Sequence, residues 1–188
     1  MPPRSRSALA LAFCSCALLA CQADPAAERG WTSADTQSRA LFGLGSREDS
    51  LVVAGRYSHI PAEQIIGAEF GAAVGIDDEA APNGAVLDTR DWDFTFGAYS
   101  EYHTGTPFTP IVALGGLWRS HAFEEPIPMA PGEKESGQTS TGGVYGRLGL
   151  HYDQEAWFAG VEVRGTQFIN DSAGGNPVQW LFVLGGLF

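Results

Sequence analysis

From about residue 39 to residue 188, apolar and polar positions alternate with a period of two, which is the signature of strands with two unlike faces. In one segment Trp92, Phe94, Phe96, Ala98 and Tyr102 share a face, against Asp93, Thr95, Tyr99 and Glu101. In another, Trp157, Ala159, Val161 and Val163 oppose Phe158, Gly160, Glu162 and Arg164. The alternation predicts eight strands, near Arg39–Gly45 and at Leu51–Ser58, Ile65–Ile76, Asp91–His103, Thr109–Arg119, Gly143–Tyr152, Ala156–Gln167 and Val178–Phe188. No amphipathic helix and no apolar run of helical membrane-spanning length interrupts them. The predicted class is all-β, an eight-stranded antiparallel up-and-down barrel.

Connection lengths set the orientation. His59–Gln64, Thr104–Phe108 and Asp153–Glu155 are short, whereas Asp77–Arg90, Ser120–Gly142 and Phe168–Pro177 are long and polar. Only Ser46–Ser50 breaks this division, being brief on the long side. Short turns at one end and long loops at the other, with both termini at the short end, is the plan of transmembrane barrels. A soluble, lipocalin-like barrel would instead turn its apolar face inward. Two features decide for the membrane. Aromatics cluster at strand ends, with Trp92, Trp118 and Trp180 on the loop side and Tyr102, Phe108, Tyr152, Trp157 and Phe188 on the turn side, as interfacial girdles require. An eight-stranded interior is also only wide enough for side chains, and those rings would overfill it.

The charged face then points inward. Arg56, Glu69, Asp93, Glu101, Arg119, Arg147, Glu162 and Arg164 are predicted to pair across the lumen, because charges removed from water cost several kcal/mol unless partnered. Tight turns at Gln154–Glu155 and Thr104–Thr106 would set Arg147 opposite Glu162, Tyr145 opposite Arg164 and Asp91 opposite Arg119, with a bulge at Pro110. Such an interior is a plug. The last strand, Val178–Phe188, departs from this pattern: Leu181, Val183 and Leu187 join the inner face, so an apolar pocket is expected beside it.

The first twenty residues carry Arg4 and Arg6 ahead of the apolar stretch Ala8–Phe13 and Leu18–Ala20, the layout of a secretory signal. Leu18-Leu19-Ala20-Cys21 resembles a bacterial lipoprotein box, which would place cleavage before Cys21 and a lipid on it; ordinary cleavage after Ala23 is the alternative. Residues 21–38 read as a polar periplasmic linker ahead of a barrel spanning 39–188. Cys14 and Cys16 leave with the signal, so no disulfide is expected within the mature chain. Loss of two arginines and no acids takes the net charge from −11 to −13, which argues against nucleic acid as a partner.

Taken together, the strand pattern and the terminal strand resemble the small outer-membrane β-barrel family that includes the transmembrane domain of outer-membrane protein A and proteins X and W. The likeness covers roughly Arg39 to Phe188. Gly186 stands where that family often has an aromatic. The resemblance implies residence in the bacterial outer membrane with periplasmic termini, contact with outer-membrane lipid and lipopolysaccharide, and recognition of the terminal strand by the barrel-assembly machinery.

Candidate chemistry is sparse. His151 is expected inward near the turn end, within reach of Tyr99 or Glu101, while His59, His103 and His121 show no metal-ligand spacing. The acidic run Asp77-Asp78-Glu79 reads as a solvated loop. Lipid A deacylases of this fold carry a His-x-Ser pair and a Glu, yet the comparable stretch Glu162–Asn170 holds neither His nor Ser. No catalytic residues, cofactor or metal are expected. The favoured function is a structural, adhesive or surface-interaction role with a plugged interior. A barrel that binds or conducts a small apolar ligand is the alternative, and a lipid A-modifying enzyme comes third.

Overall fold

The computed structural model describes residue 30 and residues 36–47, 50–80, 86–126, 134–169 and 177–188. The expected signal, Cys21 and most of the 21–38 linker lie outside the described residues. Eight strands follow in chain order: β1 Gln37–Arg47, β2 Ser50–Ile60, β3 Gly67–Ala80, β4 Val86–Glu101, β5 Phe108–Pro126, β6 Lys134–Asp153, β7 Trp157–Phe168 and β8 Val178–Leu187. Each pairs antiparallel with its sequence neighbour, and β8 closes on β1. The barrel therefore has no open edge along its closed wall.

Strand positions match the alternation closely in the wall and depart from it beyond. The segments expected as loops, Asp77–Arg90 and Ser120–Gly142, are largely strand: the β3–β4 ladder continues to Ala80↔Val86 and the β5–β6 ladder to Pro126↔Lys134. In these extensions polar residues such as Ser136, Gln138, Thr139 and Ser140 are exposed on β6, so the apolar half of the pattern vanishes while the ladder persists. At the other end, β3 starts at Gly67 rather than Ile65, whose carbonyl accepts a bond from Ser100 Oγ at 2.7 Å.

Two turns sit one residue later than expected, and each slides its register by two. Gln154 N donates to Trp157 O at 2.8 Å, so Arg147 faces Arg164 and Tyr145 faces Thr166, while Glu162 faces Gly149. Gly105 takes φ 73°, a left-handed conformation glycine adopts freely, and Thr104 Oγ1 donates to Phe108 O at 2.6 Å. Asp93 consequently lies opposite Arg119, and Asp91 opposite His121. A shift of two preserves every face. Pro110 makes no bulge; its register with Leu150 is continuous and its carbonyl accepts from Tyr102 N at 2.9 Å.

Outside, the wall exposes Phe42, Leu44, Phe70, Phe94, Phe96, Leu114, Val144, Phe182 and Leu184. Inside, the side chains form charged layers padded by two apolar clusters. One joins Val52, Ala54, Ala73, Phe158, Leu181 and Val183, with Leu41 and Leu187 against it. The other joins Ile60, Tyr99, Ile111, Ala113, Leu117, Tyr145 and Phe168. β8 is thus not alone in being apolar on both faces. β5 sends Ile111, Ala113 and Leu117 inward between the exposed Leu114 and Trp118, and such a run has no alternation to read.

Inward glycines make the space for these layers. A Cβ on Gly185 would collide with Ala40 O and lie 2.5 Å from Phe158 Cζ, and one on Gly149 would lie 3.0 Å from Glu162 Cγ. Gly185→Ala is expected to destabilise the barrel by about 1–3 kcal/mol through overpacking. Gly146→Ala, where a Cβ has nothing within 4 Å, should cost nothing. Urea-dependent unfolding in lipid, monitored by tryptophan fluorescence, compares the two.

Candidate functional site

The barrel interior holds the densest chemistry, and strand parity delivers it. Odd residues of β1, β3, β4, β5, β6 and β8 and even residues of β2 and β7 point inward, which gathers charges scattered from residue 39 to residue 164 into three layers.

Nearest the short turns, Arg39 forks between two carboxylates. Its Nε and Nη2 donate to Glu101 at 2.5 Å each, and Nη1 and Nη2 donate to Asp153 at 2.7 Å each. Tyr99 OH donates to the same Glu101 at 2.7 Å, and the Arg39 guanidinium lies 4.9 Å from the Phe158 ring centre. In the middle layer Arg147 donates to Glu162 at 2.8 Å and also to Glu69. Arg56 bonds Glu162 and lies 3.8 Å from Glu69, which takes a 2.5 Å bond from Tyr145 OH. His151 belongs here rather than with Tyr99 or Glu101, its Nε2 lying 3.0 Å from Glu162 and its ring stacking on Phe158 at 4.7 Å. Nearest the loops, Asp93 receives Arg47 at 3.0 Å, Arg119 at 2.7 Å and Arg164 at 2.5 Å. Asp91 beside it takes Arg47 at 2.5 Å and His121 at 2.6 Å.

All eight residues singled out in the sequence, Arg56, Glu69, Asp93, Glu101, Arg119, Arg147, Glu162 and Arg164, lie inside and are ion-paired. Sequence reasoning missed Arg39, Arg47 and Asp153 as members, and set Asp91 opposite Arg119 without counting it in the network. Arg39 and Arg47 share the inward parity of Leu41, Gly43 and Gly45, a signal hidden by the weak alternation of β1. Among the described residues six arginines (Arg39, Arg47, Arg56, Arg119, Arg147, Arg164) then meet six carboxylates (Glu69, Asp91, Asp93, Glu101, Asp153, Glu162). The described network is thus balanced within itself, six positive groups against six negative.

The void bounded by Ala54, Arg56, Ala73, Arg147, Glu162, Gln179 and Leu181 is about 20 Å³, room for one water. Inward Leu181 and Val183 are packed in the apolar cluster, and Leu181 borders this small void. The outward aromatics form bands: Phe94 stacks on Trp118 at 5.6 Å near the loop end, while Phe108, Tyr152 and Trp157 touch in series at 5.3 and 6.4 Å near the turns. Trp92, Trp180 and Phe188 are exposed with them, and Tyr102 is half-buried.

Catalytic geometry is thin. Ser38 Oγ and His59 Nδ1 are hydrogen-bonded at 2.8 Å on the outer face near the turns, with Tyr57 OH 3.4 Å from Ser38 Oγ. Among the described residues no carboxylate holds His59, so the pair lacks the third group that orients a base. Likewise, no described cluster of three or more His, Cys, Asp or Glu has the arrangement of a metal site. His103 is occupied at the backbone level, exchanging bonds of 2.9 and 2.7 Å with Gly30.

Glu162 serves Arg56, Arg147 and His151 at once, so Glu162→Gln is expected to lower stability by about 3–5 kcal/mol by leaving buried charge unpaired. Glu63→Gln, in an exposed turn, should change it by less than about 0.5 kcal/mol. Paired urea titrations measure the difference.

No protein-family model matches the sequence, and no curated protein matches it. Solved structures do. Outer membrane protein OprG from Pseudomonas aeruginosa aligns with 15% identity and a TM-score of 0.56, covering 85% of this chain and 98% of that one. A major outer membrane protein from Thermus thermophilus aligns with 10% identity and a TM-score of 0.58, covering 81% and 98%. Ail, the attachment invasion locus protein of Yersinia pestis, in complex with the heparin analogue sucrose octasulfate, aligns with 11% identity and a TM-score of 0.57, covering 83% and 100%. At such identities the likeness is one of fold, and the chain has the fold of the small eight-stranded outer-membrane barrels.

Proposed function

We propose that the protein is an outer-membrane barrel with both termini in the periplasm, whose plugged interior is structural and whose loop end carries the working surface. The observation that supports a plug is the network of six arginines and six carboxylates that the described residues stretch across the lumen. In this reading the outward apolar band meets lipid, the aromatic bands sit at the two headgroup levels, and β8 is the strand engaged by the assembly machinery.

The role at the surface is structural or adhesive. Strands β3 to β6 run past the Trp92 and Trp118 level and carry Asp77, Asp78, Glu79, Asp88, Glu124, Glu125 and Glu135 there, against Arg90 and Lys134. Such a field repels polyanions, so a sulfated ligand like the heparin analogue bound by Ail does not suit this chain, and a basic partner does. The one-water void and the packed Leu181 and Val183 favour neither binding nor conduction of an apolar ligand. The lone Ser38–His59 pair gives little support to lipid A modification.

Purified protein added to a planar bilayer is expected to give no discrete conductance steps, and unboiled protein should migrate faster than boiled protein on a detergent gel. Reproducible ion-conducting channels would overturn the plug, and equal mobility with solubility free of detergent would overturn the membrane assignment.

A further inference from the structure

Every described arginine but one is committed to the lumen. The exception, Arg90, is exposed on the outer wall of β4, and no described carboxylate pairs with it. Register places it in a defined setting. Trp92, Ser120 and Ser140 form one outward row across β4, β5 and β6. The next row toward the loops is Arg90, Ala122 and Gln138, and beyond it stand Glu124 and Ser136. Ala122, small between two long neighbours, makes the floor of a groove of about 380 Å³ lined also by Arg90, Phe123, Glu124, Ser136, Gly137 and Gln138. Gln138, which lines the groove, donates from Nε2 to Ser120 Oγ at 2.7 Å, which fixes the amide and leaves its carbonyl oxygen free of that bond.

We propose that this groove binds the phosphorylated sugar headgroup of an outer-leaflet glycolipid, with Arg90 on the phosphate and Gln138 and Ser136 on sugar hydroxyls. The inference rests on the membrane assignment made above, with the loop end outside. Depth argues for a lipid headgroup: Arg90 is two residues past Trp92, about 6.6 Å along the strand, which is phosphate level when an indole marks the interface. Chemistry argues for a phosphosugar. A guanidinium matches phosphate geometry in two-point contact, while the Ser136 hydroxyl, the Gln138 amide and the Glu124 carboxylate, an acceptor one row further from Trp92, suit the hydroxyls of a polyol. The volume falls within the range of small-molecule sites. The acidic hairpins above would repel a free polyanion from solution, yet a headgroup fixed in the membrane arrives from below, beside the Trp92 ring.

The test is native mass spectrometry of the full chain purified from membranes in detergent, mixed with an acylated glucosamine disaccharide carrying phosphates, the same lipid with its phosphates removed, or phosphatidylcholine. One phosphorylated glycolipid should be retained per barrel, at least tenfold more than either control. Arg90→Gln should abolish that preference, and Ala122→Trp, which fills the floor, should reduce retention of the phosphorylated lipid to the level of the controls. Both variants are judged only where they keep the faster gel mobility of the folded barrel, which separates this test from failure of the membrane assignment. Undiminished retention by Arg90→Gln, or equal retention of the phosphorylated and dephosphorylated lipids, would overturn the proposal.

Discussion

Closing eight strands into a ring leaves an interior one side chain deep, and the filling of that interior constrains everything else in the molecule. Arginine is a demanding filler. It brings a charge that must be paired in a low-dielectric space, but its planar fork can satisfy two carboxylates together. Arg39 does so with Glu101 and Asp153, and Arg147 with Glu69 and Glu162. Because each carboxylate is shared in turn, as Asp93 is among Arg47, Arg119 and Arg164, the layers are webs joining strands on opposite sides of the ring. Backbone ladders link only adjacent strands. The ion pairs and the apolar clusters tie the ring across its diameter.

The same constraint explains the composition. Glycine at 149, 160 and 185 gives way to Glu162, His151 and Phe158, large groups that could not otherwise share one cross-section. Among the described residues every arginine but Arg90 is drawn into the lumen and balanced there by a carboxylate. One allocation of charge thus leaves the sequence's excess of acids with few cations beside it outside that network. Arg90 stands apart from that allocation, which is why its place beside Trp92 carries information.

Much of this was legible from residue order because parity is a strict rule: Arg56, Glu69, Arg147 and Glu162 had to share a face once their strands were recognised. Register was harder. It depends on where a turn pivots, and Gly105 and the Glu155–Ala156 corner each moved the ladder by two residues without changing a face. The extended hairpins were hidden for a different reason, since runs of polar residues such as Ser136–Thr141 carry no apolar beat. Arg39 and Arg47 escaped notice because β1 alternates weakly, and the inner apolar row of β5 because it does not alternate at all.

The central claim, that buried charges are held by mutual neutralisation across the lumen, is tested most directly by a double-mutant cycle on Asp93 and Arg164, joined at 2.5 Å. Unfolding free energies of the Asp93→Asn, Arg164→Met and doubly substituted barrels would be measured by urea titration in the same lipid. The account predicts that the double variant loses less than the sum of the two single losses, by about 0.5–3 kcal/mol, since it restores net neutrality. Additive losses would contradict it.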